Sequence, residues 1–74
     1  MATSKAAARL TPTGRVRVFR VMEGSLAFER SRRMWQIVER LRAGEVVEVT
    51  MAELDDVLHA TGNNLDHGFR VEHA

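Results

Sequence analysis

Seventy-four residues, 45% of them apolar and 28% charged, fit one small globular domain near the lower size limit for a self-sufficient core. The absence of cysteine excludes disulfide staples and thiolate metal sites, and no apolar run is long enough for a signal-peptide core or a bilayer span, so a soluble, cytoplasmic chain is expected. The net charge of +1 conceals a split: residues 1–42 carry ten basic groups against three acids (+7), whereas residues 43–74 carry Arg70 against seven acids (−6).

Residues 1–13, rich in alanine, threonine and serine and holding Pro12, read as a flexible N-terminal arm, leaving 14–74 as a single domain. The stretch "GRVRVFRVMEG" alternates arginines with apolar groups and predicts a strand over 15–22. Its alternation slips at Phe19 and Arg20, which suggests a bulge or a change of face. Ser25 then serves as N-cap for a helix from Leu26 to about Arg42. Ala27, Met34, Ile37, Val38 and Leu41 share one face of that helix, Phe28 and Trp35 lie at its margin, and Glu29, Arg33, Gln36 and Arg40 face away. Ala43 and Gly44 end it.

"EVVEVT", 45–50, predicts a second strand, and it runs directly into a capping-box pattern, Thr50 with Glu53. A helix over Met51 to about Ala60 follows, with Met51, Leu54, Val57 and Leu58 inward and Glu53, Asp55 and Asp56 outward. "TGNN" makes a turn. "HGFRVEH" predicts a short third strand with Phe69 and Val71 inward. The expected fold is therefore a small α+β domain, strand–helix–strand–helix–strand, with two helices packed on one face of a three-stranded sheet. A direct strand–helix–strand crossover implies a parallel pair.

Catalytic equipment is missing, which points to a non-enzymatic role without cofactors. There is no tyrosine, Lys5 is the sole lysine, and neither a glycine-rich phosphate loop nor a nucleophile elbow occurs. Asp55 and Asp56 are adjacent, so their side chains diverge by about 100° around a helix and form no facing dyad. His59, His67 and His73, even with Asp55 and Asp66 nearby, show no recognised ligand spacing, and no metal site is expected.

Three binding roles stay open. The segment "VTMAELDDVLHATGNNLDHGFRV" resembles the helix-turn-helix of winged-helix regulators, which implies DNA binding through a recognition helix in its later part. Asp55 stands there where a small residue normally lets the helices approach, and His59 where glycine is usual; Gly68 would interrupt the recognition helix. That helix would also lie in the acidic half. Nucleic-acid contacts are better drawn from Arg15, Arg17, Arg20, Arg32 and Arg33, with Lys5 and Arg9 of the arm, unless the strand arginines are already paired with Glu45 and Glu48 across the sheet. A second role is self-association, giving a homodimer through an apolar margin at Phe28 and Trp35.

In size and charge segregation the chain is similar to small phage-encoded inhibitors, including anti-CRISPR proteins. That resemblance implies a protein or nucleoprotein partner, obstructed by an acidic surface of Glu45, Glu48, Glu53, Asp55 and Asp56 that faces a site for nucleic acid. No membrane partner is expected.

Overall fold

The computed structural model describes residues 6–20, 27–62 and 68–73, with the side chains of 27 and 28 excepted. Its elements run β1 (Ala8–Pro12), α1 (Ala27–Arg42), β2 (Val47–Val49), α2 (Met51–Ala60) and β3 (Phe69–His73). The class and element order are as expected, but the first strand lies elsewhere.

β1 falls within the predicted arm and is the central strand of a sheet ordered β2-β1-β3. The alternation of "ARLTP" explains this: Ala8 and Leu10 are fully buried while Arg9 is exposed. Pro12 is tolerated because it stands at the strand's last position. Leu10 lies opposite Val47 on one side and Val71 on the other, Ala8 opposite Val49, and Pro12 opposite Phe69. These residues make one apolar face. Arg9, Thr11, Glu48, Arg70 and Glu72 alternate onto the other, where Arg9 sits in register with Glu48 and Glu72 and the Thr11 hydroxyl donates to Glu72 at 3.1 Å.

Both strand pairings are antiparallel, which corrects the expected parallel pair. That expectation rested on a direct crossover from strand to helix. Here an extra extended run over 13–20 intervenes between β1 and α1, and the chain has reversed by the time it enters β2.

α1 closes the apolar face with Met34, Ile37, Val38 and Leu41, all buried, and α2 with Leu54, Val57 and Ala60. Burial of such side chains stabilises by about 1.5–3 kcal/mol each. α1 ends in a Schellman arrangement: Gly44, at φ 87°, donates to the Leu41 carbonyl, and the Glu45 N–H to that of Arg40. α2 opens on the predicted capping box, in which the Glu53 carboxylate accepts from the Thr50 N–H at 2.8 Å and the Thr50 hydroxyl from the Glu53 N–H at 3.2 Å.

Two details of α2 depart from its predicted faces. Met51, at the first position of the helix, is exposed. Asp56, expected outside, is buried to 9% exposure, and Arg30 of α1 meets it with Nε and Nη2. That hydrogen bond, and then the carboxylate's charge, raise the Arg30 pKa above its ordinary value. No helix among the described residues is long and apolar enough to cross a membrane.

Candidate functional site

The run 13–20 carries the arginines singled out in the sequence, and it is an extended connector outside the sheet. The strand predicted over 15–22 is therefore corrected; residues 21 and 22, like Ser25, lie outside the described residues. Its pleat-like alternation was genuine, since Val16 is fully buried, Val18 half-buried, and Arg15 and Arg17 exposed. What is missing is a ladder. The backbone bonds go to scattered partners instead.

Three attachments fix the run. At its start, the N–H groups of Thr13 and Gly14 both donate to the Gly68 carbonyl, at 2.9 and 3.1 Å. Gly68 has φ 86°, and a Cβ there would lie 2.4 Å from the Arg15 carbonyl oxygen, so the close backbone approach admits only glycine. In the middle, Val16 fills the core and its carbonyl accepts from Arg42 Nε at 3.0 Å. The Arg42 guanidinium lies 5.7 Å from the centroid of the Trp35 ring and also meets Glu39 at 3.1 Å. At the end, the N–H groups of Phe19 and Arg20 donate to the Ala60 carbonyl at 2.7 and 3.2 Å. That carbonyl closes α2, where helical geometry leaves acceptors without intrahelical donors.

Arg15, Arg17, Phe19 and Arg20 consequently project into solvent from an anchored backbone. Phe19 is 62% exposed, the most open of the large apolar side chains described. Phe19 keeps the outward register of Arg15 and Arg17, so the slip noted at Phe19 and Arg20 is an apolar side chain placed on the exposed face, followed by Arg20, which is exposed as well.

The charges sort into paired and unpaired sets. Arg9 meets Glu48 at 3.7 Å, Arg33 meets Glu53 at 2.6 Å, Arg40 meets Glu45 at 3.5 Å, and Arg30 holds Asp56. The anticipated pairing of Glu45 and Glu48 with Arg15, Arg17 or Arg20 does not occur, because the neighbour of β2 is residues 8–12. Among the described residues, Arg15, Arg17, Arg20, Arg32 and Arg70 have no acid within ion-pair distance.

The acidic set Glu45, Glu48, Glu53, Asp55 and Asp56 is thus largely engaged. Asp55 alone is exposed without an arginine partner. For Glu53, partial burial opposes ionisation, yet the hydrogen bond from the Thr50 backbone and the bond and charge of Arg33 outweigh it and hold the carboxyl below the usual range.

Arg32 lies apart from the run, in an open groove of about 700 Å³ between α1 and β2 that Trp35, Gln36, Val47 and Glu53 also line. Trp35 is half-buried against the core, lies beneath Arg42 and lines that open groove; the side chain of Phe28 is outside the described residues. The helix-turn-helix resemblance does not extend to its recognition helix, since the end of that segment, residues 69–71, belongs to the β-strand Phe69–His73. His59 and His73 are exposed, and His67 and Asp66 lie outside the described residues.

The anchoring roles of Arg42 and Ala60 carry no local signal in the sequence, since each depends on a partner far along the chain. A signal for Gly68 was available, in a glycine placed where the chain turns into an apolar–polar alternation, and one for Phe19, in the slip itself. No family model, no curated protein and no solved structure matches the chain.

Proposed function

We propose that this chain is a small non-enzymatic binding domain whose partner is nucleic acid, met by the basic run Arg15–Arg20. One observation carries the reading. A protein that pairs Arg9, Arg30, Arg33 and Arg40 with carboxylates leaves Arg15, Arg17 and Arg20 exposed on one anchored run, with no acid among the described residues within ion-pair distance. Three such cations can each displace a counterion from a polyanion, and phosphate contacts of this kind supply most sequence-independent affinity. A mimic of nucleic acid built from the acidic residues would draw on Asp55 alone, its four companions being held by arginines. An inhibitor of a nucleoprotein complex built on this domain would therefore act by occupying the nucleic acid.

The test is a titration of labelled oligonucleotides at low salt and at a fourfold higher concentration. Three phosphate contacts predict a loss of affinity of about 20-fold for a single strand and about 40-fold for a duplex. The triple substitution Arg15→Ala, Arg17→Ala, Arg20→Ala is expected to abolish binding with the fold intact. Absence of binding to either oligonucleotide at low salt overturns the reading.

A further inference from the structure

Resting on that reading, we infer that the run is built for single-stranded nucleic acid, with an unpaired base stacked on Phe19 between phosphates held by Arg17 and Arg20. Phe19 is the only large apolar side chain of the run in the open, and a lone exposed phenylalanine is ordinary on a protein surface. Its setting is not. The ring stands on a backbone whose N–H is bonded to Ala60 at 2.7 Å, and the next N–H is bonded to the same carbonyl, so the side chain is aimed outward by the fold.

Its neighbours choose the ligand. Cations with no acidic partner among the described residues stand two residues before it and one residue after it. A protein partner covering Phe19 with apolar groups would have to desolvate Arg17 and Arg20, which is costly without acids in place. A ligand that suits all three groups is anionic along its length and offers flat apolar faces between its charges. Unpaired nucleic acid has that chemistry, because every base presents a π-face to an aromatic ring.

Duplex fits less well. Its bases stack on one another, leaving Phe19 only groove edges and the backbone. The major groove admits a helix or a two-stranded ribbon, whereas Arg15, Arg17 and Arg20 stand on one unpaired extended segment. Phosphate contacts alone would be shared by both forms; the ring is what separates them.

The experiment compares an oligothymidylate of about 15 nucleotides, near the upper end of single-strand site sizes, with its duplex on oligoadenylate, both at low salt. Wild type is expected to bind the single strand about tenfold more tightly than the duplex. Phe19→Ala should lose about tenfold on the single strand and less than about twofold on the duplex, consistent with the lower part of the stacking range. Phe19→Trp should retain the preference, and Phe19→Leu, which keeps the apolar bulk without the ring, should lose it. Circular dichroism of each variant checks that the fold is unchanged, as expected for a side chain 62% exposed. Equal affinity for the two forms, or an equal effect of Phe19→Ala on both, overturns this inference while leaving nucleic-acid binding through the arginines standing. No binding of either oligonucleotide overturns both.

Discussion

Arg30 of α1 holds Asp56 of α2 through two hydrogen bonds, Nε to Oδ2 at 3.3 Å and Nη2 to Oδ1, and the two partners are unequally placed: the arginine side chain is 57% exposed, the carboxylate 12%. The asymmetry decides what each substitution does. Arg30→Gln strands a nearly buried carboxylate, and an unsatisfied buried charge of that kind costs about 1–3 kcal/mol. Asp56→Asn leaves an arginine that water can solvate. Thermal melts should show the larger drop for Arg30→Gln, at roughly 4–8 °C per kcal/mol in a domain of this size.

The glycines should rank by geometry. Gly68→Ala combines a φ of 86° with a contact of 2.4 Å to the Arg15 carbonyl oxygen and should cost about 3 kcal/mol or more. Gly44→Ala meets no atom within 4 Å but must hold φ at 87°, for about 1 kcal/mol. Gly14→Ala has open space and no such φ, and should fall within about 0.5 kcal/mol of wild type. Urea unfolding of the three variants measures the order.

Acid should weaken the start of α2. The Glu53 carboxyl is held below its ordinary pKa, so the unfolded chain binds its proton more readily than the native one, and stability rises with pH across that range. The contribution is complete above the unfolded glutamate value of about 4.3. It is lost as pH falls below that value and through the depressed native one. Glu53→Gln should flatten this part of a stability–pH profile measured by denaturant unfolding.

The supposed arm should prove indispensable. Leu10 is fully buried at the centre of the middle strand, and Leu10→Ala should cost about 2–5 kcal/mol, enough to unfold a marginal domain. A mobile arm would predict no change. Circular dichroism and a urea titration distinguish the two.

The helices, β2 and β3 were legible because each announces itself locally. Thr50 and Glu53 mark the start of α2 within one turn, Gly44 marks the end of α1, and the stripe Met34, Ile37, Val38 and Leu41 has helical spacing. β1 was not legible, since its five residues hold one strongly apolar side chain, Leu10, and earn their place through partners far along the chain. The neighbouring "RVRVFR" has the stronger strand pattern and loses the sheet position to it. Local alternation reports an extended backbone, and only tertiary contact decides whether that backbone joins a ladder. The same limit hid the site. The candidate arginines were visible as residues, but which of them carboxylates would claim depended on the register of Arg9 with Glu48 and the crossing of Arg30 and Arg33 with α2.

The central position of β1 also governs how the molecule forms. Both its neighbours come late in the chain, and the hydrogen bond from Thr11 to Glu72 spans 61 residues. Loops of that length must close before the ladder rewards them, which places the slow step of folding in assembling the sheet rather than in the helices. During synthesis the first strand emerges before either partner, and its ladder is complete only when Phe69–His73 arrives.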